Sequence, residues 1–121
     1  MKNAIFDELL KKCENEQQEI ILYRLKDTDS ENRVKRSELS ELIHTDDRTM
    51  RSVVSDMRKN GIFIAGDTRS SGYYLPQTFD EFTLFAANYS GRAMATLYTQ
   101  GQMFNSAREL LLEQTKMEVN V

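Results

Sequence analysis

Apolar residues return at helical spacing through most of this chain. Ile5, Leu9, Leu10 and Cys13 lie on one stripe, and Ile20, Ile21, Tyr23 and Leu25 form a second apolar group after the polar run Glu14-Asn15-Glu16-Gln17-Gln18. Residues three and four apart share a face of an α-helix, so the pattern predicts two helices in the first 26 residues, or one broken near Asn15. An acidic loop, Asp27-Thr28-Asp29-Ser30-Glu31-Asn32, follows. Ser37 is placed to cap a helix of about two turns, Glu38-Leu39-Ser40-Glu41-Leu42-Ile43, because its hydroxyl can accept from an unpaired backbone N–H. After a turn at His44-Thr45, Asp46 caps a longer helix over residues 47–60, where Met50, Val53, Val54 and Met57 make one buried face. Gly61 stands where a helix commonly ends at positive φ.

The period then changes. Ile62-Phe63-Ile64 and Gly72-Tyr73-Tyr74-Leu75 are β-branched and aromatic runs, separated by the small, polar Ala65-Gly66-Asp67-Thr68-Arg69-Ser70-Ser71. This predicts a β-hairpin with Arg69 at its tip, stopped by Pro76, and with one of Tyr73 and Tyr74 facing inward and the other outward. Thr78 caps a final helical region to about Lys116, carried by Phe82, Ala86, Tyr89, Ala93, Leu97, Phe104, Ala107 and Leu111. Gly91 and Gly101 each weaken that helix by about 1 kcal/mol relative to alanine and mark where it would bend. The expected organisation is an N-terminal helix over residues 1–15, a central domain over 16–76 and a helical extension over 77–121.

Composition narrows the function. With 121 residues and 40% hydrophobic content, the chain suits one domain, or a small domain with an extension. No apolar run nears the roughly 20 residues that span a bilayer, and Asp7-Glu8 come too early for a secretory signal. One cysteine and one histidine leave no internal disulfide and no metal-ligand cluster; a reducing cytoplasm is the expected compartment, and no cofactor is expected. Cys13, on an apolar stripe, reads as a small core hydrophobe. The net charge is −3, yet residues 33–69 hold eight Lys/Arg against six Asp/Glu while both flanks are acidic. Phosphate binding follows the local field, so nucleic acid would meet the middle of the chain, and one copy would bind weakly and salt-sensitively. Paired acid–base groups, a glycine-rich phosphate loop and a nucleophile with a base are all missing, which argues against an enzyme.

Several segments also carry a resemblance. Arg36-Ser37-Glu38-Leu39-Ser40-Glu41-Leu42-Ile43, then Asp46-Asp47-Arg48-Thr49-Met50-Arg51, Met57-Arg58-Lys59-Asn60-Gly61-Ile62-Phe63-Ile64 and Gly72-Tyr73-Tyr74-Leu75 resemble, in that order, winged helix-turn-helix domains. The type is that of bacterial biotin-operon repressors and small phage DNA-binding proteins, and the similarity covers about residues 18–76. His44 departs from it, standing where the family often has glycine; it reads as a turn residue rather than a pH sensor. The resemblance implies a mainly α fold: a three-helix core with a two-stranded β-wing, an N-terminal helix and a long C-terminal helical extension. It implies sequence-specific binding of double-stranded DNA, as a transcriptional regulator or a phage early or replication-associated protein, with the second helix of the motif in the major groove.

On that helix the outward positions are Asp47, Arg48, Arg51, Ser52, Ser55 and Arg58. An arginine fork matches guanine O6 and N7 or a phosphate, and the serines can donate to either. Asp47 reads as favouring the helix N-terminus, with a cytosine amino group as the other possible partner. Arg33, Lys35, Arg36 and Lys59, with Arg69 at the wing tip, are phosphate candidates. The competing reading is a solvated face whose arginines pair with Glu38, Glu41 and Asp56. Phe82, Phe85, Tyr89, Leu97, Phe104 and Leu111 are more apolar surface than one helix hides against a small domain, which predicts a homodimer through the extension. The alternative is an extension that folds back to complete the monomer's core. A second function class is an inhibitor or adaptor of phage type that binds a protein or nucleoprotein partner, such as a host defence nuclease, since a fold does not determine function.

Overall fold

The computed structural model describes residues 1–66, 72–89 and 94–113, with backbone alone at 88–89 and 94–98. Six α-helices follow one another: α1 (Asn3–Leu10), α2 (Glu16–Leu25), α3 (Arg36–Leu42), α4 (Asp47–Lys59), α5 (Phe79–Tyr89) and α6 (Met94–Ala107), which runs into a π-helical turn at Arg108–Glu113. The N-terminal break falls where the polar run lies. Asn15 caps α2, its side chain accepting from the Gln18 N–H at 3.0 Å. Ser37 does not cap α3; the helix begins one residue before it, with Lys35 at the N-cap and no side-chain bond.

Both α3 and α4 end in the same hydrogen-bonded motif, in which the next two N–H groups turn back onto the last turn and relieve its orphan carbonyls. At α4, Gly61 N–H donates to Arg58 O at 3.0 Å and Ile62 N–H to Met57 O at 3.1 Å, with Gly61 at φ +88°. At α3, His44 N–H donates to Glu41 O at 3.1 Å and Thr45 N–H to Ser40 O at 3.0 Å, with His44 at φ +54°. His44 thus takes the left-handed position that glycine fills at the next helix, and a side chain there costs about 1 kcal/mol.

The expected two-stranded wing is not formed. Among the described residues there is no strand and no sheet; the extended segments meet only as isolated antiparallel bridges, Val34 with Tyr73 and Ala65 with Tyr74. Two local features limit the ladder. Ile62 is part of the α4 cap, and Ile64 N–H folds back to Ile62 O at 2.9 Å in a tight turn. Pro76 has no N–H to offer in line with Phe63. The Arg58 guanidinium takes the carbonyls of Ile64 and Gly66, on the side of this segment turned away from Tyr74. Residues 75–77 are held instead by side chains. Thr28 Oγ1 accepts from Leu75 N–H at 2.8 Å, and the Gln77 amide donates to Thr28 O at 2.7 Å. Tyr73 and Tyr74 are therefore both buried, at 2% and 5% exposure, rather than split between core and solvent. Gly66 and Gly72, at φ +95° and +133°, allow these crossings, because a Cβ on Gly66 would collide with the Gly72 backbone and one on Gly72 with the backbone of Val34.

The C-terminal extension folds back. The Gln100 amide donates to Ala86 O at 3.0 Å, so α5 and α6 pack on each other rather than forming one long helix, and α6 also packs on α4. Gly101 does not interrupt α6, while Gly91 and Lys116 lie outside the described residues. Phe82, fully buried, sits among Phe63, Phe79, Phe85 and Phe104 at centroid distances of 6.2–6.3 Å. The π-helical turn brings buried Leu110 and Leu111 back against α1, where Ile5, Phe6 and Leu9 are also buried. This corrects the dimerisation set. Phe82 and Leu111 are consumed within the chain, Phe85 is half-buried against the core and Phe104 keeps only 38% exposure. The side chains of Tyr89 and Leu97 lie outside the described residues.

Cys13 is half-buried against this core, and burial, helped by the charge of Glu19, pushes its thiol from an ordinary 9.0 up to about 11. The thiolate is the reactive species, and a raised pKa favours the inert thiol. Alkylation by iodoacetamide at pH 8 should run about 100-fold slower in the native protein than in denaturant, and rise about tenfold per pH unit up to pH 10. Equal rates in the two states would show that Cys13 is not packed as described.

Candidate nucleic-acid interface

The interface is built on α3 and α4. The Asp46 carboxylate caps α4, accepting from the Thr49 N–H at 2.7 Å, and its carboxyl is held below the usual range by the hydrogen bonds from the Thr49 hydroxyl and N–H. Met50, Val54 and Met57 are buried on the inner face, which fixes the rotation of α4 about its axis. Opposite them, Arg48, Arg51, Ser52 and Lys59 are exposed, and Ser55 is half-buried at the edge. Among the described residues, Arg48 makes no ion pair.

Asp47, in the first turn of α4, does more than favour a helix dipole. Its Oδ2 lies 3.0 Å from Arg51 Nε and its Oδ1 3.5 Å from Arg36 Nε, and all three side chains are a little over 40% exposed. The carboxylate thus gathers one guanidinium from each helix into a single cluster. The sequence pattern offered the pair Asp47–Arg51 by its i, i+4 spacing, but held no signal for Arg36. Tyr73 approaches the same cluster. Burial pushes its phenol pKa up, Arg58 opposes that shift, and the charges of Asp47, Arg36 and Arg51 act on it as well.

Arg58 leaves the candidate set. It is only 8% exposed, donates through Nε to Ile64 O at 2.9 Å and through a terminal nitrogen to Gly66 O, and lies over the rings of Tyr73 and Phe85 at 5.8 and 5.6 Å. It stands two turns after Arg51 on the same helical side, but the chain beyond α4 closes over it. Lys35 is exposed beside the start of α3. Arg33 stacks on Tyr74 at 4.7 Å and donates to Ser30 O, so it serves the fold first. Arg69 lies outside the described residues. Acidic groups remain close by: Asp46, Glu41 and Asp56 are exposed, and Glu38 pairs with Arg24.

No helix among the described residues is long and apolar enough to cross a membrane. Comparison of the chain with protein-family models, curated proteins and solved structures finds no match.

Proposed function

We propose that the α3–α4 pair binds double-stranded DNA, with α4 as the reading helix, and that the protein acts by binding rather than catalysis. One observation carries the reading. The Arg48, Arg51 and Ser52 face of α4 is open to solvent along a helix whose opposite face is locked by Met50, Val54 and Met57. A helix held this way can lie in a major groove about 12 Å wide without moving its anchors. Arg48, Arg51 and Ser52 would meet base edges, and Arg36, Lys35 and Lys59 the flanking phosphates. The sequence resemblance over residues 36–51 concerns this same helix pair. A reducing cytoplasm, bacterial or that of a phage's host, suits a chain with a single, half-buried cysteine. Regulation of transcription and a replication-associated phage role both fit this activity.

Two copies on half-sites about one helical turn apart would raise affinity, because the second engagement becomes intramolecular. Among the described residues of the extension, Leu84 and Phe104 are exposed and could serve a contact between copies, whereas Phe82 and Leu111 could not.

Selection of bound fragments from a random duplex library, at two salt concentrations, tests the proposal directly. In the selected site, Arg51→Ala should cost about 1–3 kcal/mol if Arg51 reads a base, and less on random duplex. An equal loss on both makes Arg51 a phosphate contact, and no loss on either removes α4 as the reading helix. The second reading, a protein-binding inhibitor or adaptor, draws on the carboxylates that surround the arginines, Glu41, Asp46, Asp47 and Asp56. It gains if the protein shifts no duplex at low salt and instead recovers one stable protein partner.

A further inference from the structure

We infer that Asp47 sets the selectivity of this interface, by steadying Arg51 for base contact and by cancelling part of the charge that would otherwise hold any phosphate. The inference rests on the DNA-binding reading above and goes beyond it, to the residue that separates matched from unmatched DNA. Three features point there. Both oxygens of the carboxylate are engaged, Oδ2 with Arg51 and Oδ1 with Arg36. In both pairs the nitrogen against the carboxylate is Nε, the one next to the stem. The triad also joins two helices, since Arg36 of α3 meets the same carboxylate that Arg51 meets within α4.

The physical consequence is a trade. A bare arginine pair attracts every duplex through its phosphates, whatever the sequence. A carboxylate between the two lowers that attraction, because at this exposure it stands within a Debye length of any bound phosphate. It also restrains the rotamers of Arg51, so less freedom is lost when the fork meets guanine O6 and N7. Asp47 therefore weakens unmatched binding more than matched binding.

Asp47→Asn tests this, since asparagine keeps size and one acceptor but removes the charge. Binding of the purified full chain is measured on the duplex recovered by selection and on a random-sequence duplex of equal length, across a salt series. Random-duplex binding should tighten about fivefold near 50 mM salt, with a salt slope steeper by about one. The ratio of matched to random affinity should fall about tenfold. Asp80→Asn makes the same charge change in the exposed first turn of α5, outside the cluster, and should leave that ratio within about twofold. Thermal melts of both variants should match the parent, which excludes misfolding as the cause. An unchanged ratio for Asp47→Asn, or an equal change for the two variants, overturns the role of Asp47 while the DNA reading stands. A parent protein that shifts neither duplex at low salt overturns both.

Discussion

Arg58→Ala is expected to remove about 3 kcal/mol or more of folding stability and to lower the melting temperature by about 10–15 °C. The guanidinium is 8% exposed and satisfies the carbonyls of Ile64 and Gly66 from the last turn of α4. Alanine leaves those buried acceptors without their donors, at about 1–3 kcal/mol each, and removes the cation that lies over Tyr73 and Phe85. Lysine should rescue less than half of the loss. It keeps the charge, but a single ammonium cannot bridge two carbonyls and two rings as a planar fork does. Urea and thermal melts read the effect. A melting temperature within about 2 °C of the parent would return Arg58 to the solvent-exposed face where its spacing from Arg51 puts it.

Phe82→Ala should cost about 3–5 kcal/mol, and the loss should not depend on protein concentration. Phe82 is fully buried, ringed by four other phenylalanines from α5, α6 and the segment after α4, so its removal opens a cavity inside one chain. A residue at a dimer interface behaves differently, because the folded state is then tied to protomer concentration. Melts of parent and variant over a hundredfold concentration range separate the cases. A melting temperature that climbs with concentration in the parent but not in the variant would move Phe82 into a contact between copies.

The surplus of apolar residues after Pro76 thus has a different meaning from the one its amount suggests. Counted along a single helix, Phe82, Phe85, Phe104 and Leu111 have nowhere to go but a second copy. Folded as two helices and a π-helical turn, they close the core of α1, α4 and the Ile62-Phe63-Ile64 segment. Where the chain reverses between α5 and α6 was not legible, because Gly91 and Gly101 offered two equal places and α6 in fact runs through Gly101. The wing failed for a related reason. Alternating apolar and turn-forming residues describe a hairpin well, but they cannot reveal that the start of the first run is drawn into the cap of the preceding helix and folds back on itself. The candidate interface was half legible. Arg48, Arg51 and Ser52 were readable as outward from the positions of Met50, Val54 and Met57, whereas the tie from Arg36 to Asp47 needed α3 and α4 to be placed side by side.

What the chain determines by itself is local. The caps at Asn15, Asp46 and Thr78, the left-handed ends at His44 and Gly61, and the buried face of α4 all follow from groups within a turn of one another. Such bonds join groups close in sequence, so residue type and spacing point to them, though Ser37 shows that a good capping residue need not be used. What only the tertiary structure decided is which faces are covered. Arg51 and Arg58 share a side of one helix, and one meets solvent while the other is sealed, because segments 6 to 27 residues further along fold over the end of α4 but not its start. Burial depends on where distant parts of the chain come to rest, and no periodicity within α4 carries that information.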